Sequence, residues 1–391
     1  MNVSTGEVTL RGQLSGFRRG LTSRDRASLG GMLGTIVLLH VVGFGLLFGL
    51  VAPQHYHLGN TGLFGAGVGV LAYTFGLRHA FDADHIAAVD NTTRKLLSDN
   101  EARQAAGTPP AQIRRPLSVG FWFSLGHSTI VFGLAVLLSL GVKTLAGPVE
   151  NDNSTLHSVT GVIGASVSGV FLWVLGVLNL VVLLGILKVF REMRTGVYNE
   201  QELEEQLNRR GLMNRLLNGL TKAVRSPRQI YPVGVLFGLG FDTATEVGLL
   251  VLAGGAAAFN LPFYAILVLP ILFAAGMCLA DTIDGVFMSA AYSWAFAKPV
   301  RKVFYNITIT MISVAVALII GTVELLGVLA DQAEISTGPI AAIADINLDY
   351  AGYAIVALFF GAWLVALLIW RLGRIEDKWS AHDDDPVCLR G

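Results

Sequence analysis

The chain has 391 residues, 53% hydrophobic and 14% charged, with a mean hydropathy of +0.60 and a formal net charge of zero. Soluble domains carry about 25% charged residues, so an ordinary soluble fold is excluded, and nothing in the overall charge points to nucleic acid. The two cysteines, Cys278 in an apolar run and Cys388 near the end, exclude a disulfide framework.

A membrane-spanning helix needs about 20 mostly apolar residues. In chain order the candidates are 31–52, 63–90, 117–142, 158–187, 230–257, 262–296, 303–329 and 350–371. The segment before the first is polar and basic, and the apolar run after it is longer than the roughly 7–15 residues of a signal-peptide core. The first span is therefore expected to be retained. Several runs exceed 25 residues, which predicts tilt, breaks or extensions beyond the bilayer. None alternates with period two, which argues against a barrel. The expectation is an all-α polytopic membrane protein with eight transmembrane helices. It divides into an N-terminal tail 1–28, a permease domain 29–372 with a long loop 188–228, and a C-terminal tail 373–391. The stretch LMNRLLNGLTKAV in that loop has apolar residues at near-helical spacing. It reads either as a helix lying on the lipid surface or as a solvated linker helix.

Lys and Arg give an independent test, because cytoplasmic loops carry their excess. Five arginines precede the first span: Arg11, Arg18, Arg19, Arg24 and Arg26. The first, fifth and seventh loops have neither Lys nor Arg, and the third has only Lys143. The second loop has Arg94, Lys95, Arg103, Arg114 and Arg115; the fourth has nine such residues between Lys188 and Arg228; the sixth has Lys298, Arg301 and Lys302. The tail has Arg371, Arg374, Lys378 and Arg390. This alternation fits eight spans with both termini cytoplasmic.

Against that apolar background the ionisable groups stand out. The second span reads RHAFDADHI, with Arg78, His79, Asp82, Asp84 and His85. The third carries His127 in SLGHSTIV, the fifth Asp242 and Glu246 in GFDTATE, and the sixth Asp281 and Asp284 in ADTIDG. One charge near a helix centre costs roughly 2.5–3.5 kcal/mol on insertion scales. Six carboxylates with one arginine among them imply a ligand, a water-filled cavity or shared protons. At 100° per residue, His79, Asp82 and His85 span an arc of about 120°. Asp242 and Glu246 share a face, as do Asp281 and Asp284. Asp84 points away from the two histidines in a regular helix. Either it serves a second partner or the helix is distorted here. Asp90, His40, His55, His57 and His157 read as helix ties or solvated loop residues. Imidazoles with carboxylates and no thiolate suit a borderline divalent metal such as Ni²⁺, Co²⁺ or Zn²⁺, whereas Mg²⁺ or Ca²⁺ takes an all-oxygen site. The remaining acids are read as partners that orient imidazoles, as entrance charges or as proton carriers, and Arg78 as their compensating charge.

RHAFDADHI resembles the signature of the nickel/cobalt transporter family, NiCoT, whose His-x4-Asp-His pattern falls on His79, Asp84 and His85. FSLGHSTIV, LGFDTATE and GMCLADTIDG resemble the family's third-, fifth- and sixth-span motifs, in the family's order. The resemblance implies a single-chain, multi-pass permease of the bacterial cytoplasmic (inner) membrane that takes up Ni²⁺ or Co²⁺ as its substrate, with no further cofactor. The expected metal ligands are His79, Asp84 and His85, helped by His127. Asp82, Arg78, Asp242, Glu246, Asp281 and Asp284 are expected behind them or along the path. The partners expected are the metal ions and the lipid bilayer. The chain has no P-loop motif, so it implies no ATPase subunit, and secondary transport is the default. FGLRHAFDADHIAAV and FGLGFDTATEVGLLV share FGL and a following FD, which suggests an inverted repeat of spans 2–4 and 5–7. An intramembrane protease is disfavoured: HExxH is absent, and the nearest approach to GxSG, within ASVSG at 165–169, lacks the first glycine. A metal exporter is the alternative transporter, but loop 188–228 lacks the histidines that exporters often carry there.

Overall fold

Thr22 opens the first helix by accepting a hydrogen bond from the Asp25 backbone while the Asp25 side chain accepts from the Thr22 N–H. This reciprocal cap satisfies two otherwise orphaned donors, and it starts α1 (Ser23–Leu46) inside the segment expected to be a tail. The computed structural model describes residues 21–57, 63–109, 113–139, 155–194, 224–239, 253, 261–295, 299–346 and 351–373. After α1 come α2 (Ala66–His79), α3 (Ala83–Ala105), α4 (Val119–Ser139), α5 (Thr155–Arg194), α6 (Tyr231–Phe237), α7 (Phe263–Ala295), α8 (Pro299–Gln332), α9 (Pro339–Ala344) and α10 (Ala351–Gly373). The described extended structure is a two-residue antiparallel ribbon, Tyr56–His57 with Leu63–Phe64, between α1 and α2. The other described elements are helical.

Four described helices are long and apolar enough to cross a membrane: Ser23–Gln54, Val119–Leu137, Phe263–Tyr292 and Thr310–Gln332. Ala165–Val181 and Ala351–Gly361 are shorter apolar helices. By helix length and composition the chain fits a polytopic membrane protein. Beyond residue 239 the expected fifth span, Ala253 excepted, and most of loop 188–228, including LMNRLLNGLTKAV up to its last valine, lie outside the described residues.

The expected second span is not one helix. α2 stops at His79 and α3 begins at Ala83. Asp82 holds the position before α3 with extended backbone, φ −67° and ψ 147°. The break is closed by tight turns: Phe81 N–H donates to the Arg78 carbonyl and Asp82 N–H to the His79 carbonyl, both at 2.9 Å. Buried backbone groups in lipid need such partners. α10 supports the break from outside. Gly352 lies against the Phe81 carbonyl so closely that a Cβ there would overlap it, and Phe81 stacks on Tyr353. α3 then runs on to Ala105, well past the expected end at 90.

α7 is the central helix, and small residues let its neighbours reach it. A Cβ at Gly76 of α2 would overlap the Phe273 carbonyl; one at Gly120 of α4 would overlap the Asp281 carbonyl. Contacts fix relative direction. α3 runs parallel to α7, with His85 at Asp281 and Val89 at Gly285. α4 runs antiparallel to α7, with Gly120 at Asp281 while Val131 and Ala135 join the cluster of Ala265, Ile266 and Leu269. α6 runs parallel to α4, with Gly234 at Phe123 and Gly238 at His127. α5 and α8 are antiparallel, with Gly169 at Leu325 and Gly176 at Leu318.

Two of these contacts repeat each other. Gly76 meets the Phe273 carbonyl, and Gly276 meets the Tyr73 carbonyl and the Leu77 N–H. Gly234 meets the Phe123 carbonyl, and Gly126 meets the Tyr231 carbonyl and the Val235 N–H. Tyr73-x-x-Gly76 against Phe273-x-x-Gly276 thus matches Tyr231-x-x-Gly234 against Phe123-x-x-Gly126. This pairs Gly76 with Gly234, one helical turn away from the Gly238 that the shared FGL would pair with it.

Candidate metal centre

The break in the second span is where the imidazoles gather. His79 is the last residue of α2, His85 lies in the first turn of α3, and His127 comes from the middle of α4. Each of the three offers a ligand atom within 4.8 Å of the others. Their exposures are 1%, 0% and 2%, so the cluster is sealed on every side. The ring centroids are 4.5 to 4.9 Å apart.

The outward nitrogens face carboxylates. His79 Nδ1 lies 2.8 Å from Asp82 Oδ2, and His85 Nδ1 lies 3.3 Å from Asp281 Oδ2. This leaves the Nε2 atoms for the interior. His79 Nε2 and His127 Nε2 are 3.0 Å apart, and His85 Nε2 is buried without a hydrogen-bond partner. Two nitrogens each about 2.1 Å from one ion, at a right angle, lie about 3.0 Å apart. A carboxylate beside the rings of His79 and His85 favours the Nδ1–H tautomer of each and raises its basicity, as is usual for metal-ligating histidines. The donor set fits a borderline divalent cation, with soft thiolate absent from the group. The peptide dipoles act in the same sense at one end, since the carbonyl-rich C-terminus of α2 falls at His79.

Asp84, expected as a ligand, stands outside this group. Its Oδ1 accepts the His85 backbone N–H at 2.9 Å, in the first turn of α3. A regular helix would have aimed it away from the histidines; the break instead makes it an acid at a helix N-terminus, a favourable place for negative charge. Asp281 reaches His85 from α7, and Asp284 sits one turn further on, its Oδ2 unbonded among the described residues. Arg78 is half-buried beside His79. Asp242 and Glu246 lie outside the described residues.

Several polar residues are ties. Asp90 is fully buried and accepts hydrogen bonds from Tyr292 of α7 and from Ser313 of α8, the latter at 2.6 Å. Asn179 of α5 donates to Asn91 of α3. His40 bonds the Ile36 carbonyl and the Tyr73 hydroxyl. Glu324, half-buried in α8, went unremarked among the sequence's intramembrane acids; its position in the apolar run IIGTVELLGVL was the available signal. Two buried phenylalanines also escaped notice, Phe273 beside His79 at 5.6 Å and Phe123 beside His85 at 4.8 Å between ring centroids. An aromatic residue in an apolar run carries no signal of its own.

Comparison with known proteins bears on these residues directly. Residues 65–369 match the NicO family, described as high-affinity nickel-transport protein. The chain is 55% identical over 375 residues to the nickel transporter NicT of Mycobacterium tuberculosis, covering 96% of this chain and 97% of that one. It is 47% identical over 345 residues to the nickel transporter NixA of Staphylococcus aureus, covering 88% and 95%. It is 40% identical over 352 residues to the cobalt transport protein NhlF of Rhodococcus rhodochrous, covering 89% and 93%. No solved structure matches. The match spans every described helix from α2 to α9 and most of α10, with the whole histidine cluster inside it, and on that ground the chain belongs to the NicO family of high-affinity nickel-transport proteins, a transport protein rather than an enzyme.

Proposed function

We propose that this protein is a single-chain secondary permease that carries nickel, and cobalt with it, into the cell through a site made by His79, His85 and His127. The observation that carries the reading is the convergence of three buried imidazoles from three helices, two of them backed by carboxylates. A dehydrated dication offsets the cost of burying Asp82 and Asp281 beside them. Asp84 contributes through the α3 terminus and through its negative charge. Asp284 of α7, and Asp242 and Glu246 of the fifth span, offset the ion's charge as it moves. The names of the relatives support nickel as the first cargo to test and cobalt as the second.

Eight spans with both termini cytoplasmic remain the topology of choice. The helix directions support it: spans that should run the same way, second with sixth and third with fifth, pack parallel, and third against sixth and fourth against seventh pack antiparallel. The reciprocal Tyr-x-x-Gly and Phe-x-x-Gly contacts support an inverted relation between spans 2–4 and 5–7, in the register that pairs Gly76 with Gly234. Transport into the cell is preferred over export because loop 188–228 lacks histidine.

A metal that enters must displace protons from imidazole, so uptake should weaken as the solution is made acidic. The test is radiotracer uptake of each metal in competition with the other. Cells making the wild type should accumulate nickel, and His79→Ala or His85→Ala should bring accumulation to the background of cells lacking the protein, with membrane levels unchanged. Normal uptake by either variant would remove the site.

A further inference from the structure

The histidine layer separates two apolar clusters. One contains Leu47, Val51, Phe64, Ala265, Leu269 and Phe273. The other contains Ile86, Val119, Phe123, Ile230, Phe237 and Tyr292. Each cluster sends one phenylalanine ring onto the site, Phe273 against His79 and Phe123 against His85. Both rings are 0% exposed.

These two residues are counterparts. Phe273 heads the Phe-x-x-Gly of α7, whose carbonyl meets Gly76, and Phe123 heads the Phe-x-x-Gly of α4, whose carbonyl meets Gly234. The ring partners correspond as well. Phe273 faces His79, three residues after Gly76, and Phe123 faces Phe237, three residues after Gly234, at 5.1 Å between centroids. α4 and α7 are antiparallel, so the counterparts fall on opposite sides of the site. Phe273 precedes Asp281 by eight residues on α7, about 12 Å of helix, and Phe123 precedes His127 by four on α4, about 6 Å. Helical side chains lean toward their own N-terminus, so each ring leans away from the other, along the path an ion would take. Pro270, one turn before Phe273 in α7, removes a backbone donor there and weakens the helix locally.

We propose that Phe273 and Phe123 are the two closing side chains of the transport site, Phe273 toward the outside and Phe123 toward the cytoplasm, and that the conformation described here has both closed. The assignment rests on the transport site and topology proposed above. A hydrophobic ring against the buried imidazoles is a barrier to a hydrated dication, since the ion must shed water with no polar group to replace it. Alternating access requires one ring to withdraw while the other stays, and two equivalent barriers on opposite sides of a pseudo-twofold axis meet that requirement.

The test uses tracer nickel and membrane vesicles of both orientations. Wild type showing saturable flux, lost in His79→Ala, is the control on the site itself; failure there would defeat the functional reading rather than the barrier assignment. With that control met, Phe273→Ala should let preloaded nickel exchange with the outer solution, and Phe123→Ala with the cytoplasmic solution. F123A/F273A together should replace saturable flux by a non-saturating leak at least tenfold above the His79→Ala background. Phe→Leu at either position, which keeps apolar bulk, should restore saturable flux. Should an alanine variant fail to reach the membrane, Phe→Val is scored in the same way. Exchange that is equal on both sides in each single variant, or a double variant that transports like wild type, overturns the assignment.

Discussion

Asp281 reaches His85 Nδ1 at 3.3 Å from a helix remote in sequence. Its role follows from that contact. With Nδ1 held toward a carboxylate, Nε2 is the nitrogen left for a metal, and it is the one found buried without a partner. Asp281→Asn keeps the shape and removes the charge, so the imidazole loses basicity while the fold is preserved. Removing such a partner typically lowers metal affinity by about 10- to 100-fold. The expected result is a rise of that order in KM for nickel uptake at unchanged protein level, and a KM equal to wild type would argue against the contact having this role. Asp90 differs in kind. Its carboxylate is occupied by two hydroxyl donors on α7 and α8, which makes it a tie between helices, as the sequence led one to expect for an acid near a span's end.

At the level of elements, the site depends on a helix that stops. α2 and α3 could have formed one continuous span by composition, and the break between them turns His79 and His85 toward the same space. What holds the break is a contact from elsewhere, α10 pressing Gly352 on the Phe81 carbonyl. Any side chain there must push α10 away from the turn. Overpacking of this sort costs about 1–3 kcal/mol, so Gly352→Ala should lower the melting temperature of the detergent-purified protein and weaken nickel uptake together. Gly34, with open space where its Cβ would be, is the matched control: Gly34→Ala should stay within about 0.5 kcal/mol of wild type. Equal melting of both variants would mean that the α10 contact does not hold the turn.

For the whole molecule, the arrangement of directions and the Lys/Arg alternation make one prediction about sidedness. Gln54, after the first span, and Arg103, near the end of α3, are both exposed and belong to opposite sides of the proposed topology. In a background with Cys388→Ser, Gln54→Cys should react with an impermeant maleimide on intact cells, and Arg103→Cys only after permeabilisation. Cys278 is buried and should stay silent. Labelling of both from outside would reverse or refold the proposed arrangement.

The sequence by itself determined the class of the molecule, the approximate helices and the residue types of the site, because lipid imposes length and apolarity on a span and makes each charge inside one conspicuous. RHAFDADHI and His127 were legible for that reason. Tertiary structure decided the rest. The break at residues 80–82 depends on packing from α10, and the partner of His85 is a carboxylate almost two hundred positions away. The place of Asp84 at a helix N-terminus follows from the break, and the contacts of Phe273 with His79 and of Phe123 with His85 follow from the packing of α4 and α7 around α2 and α3. None of these has a local signature, since each is a contact between segments whose approach is set by glycines at buried crossings rather than by any property of the residues that finally meet.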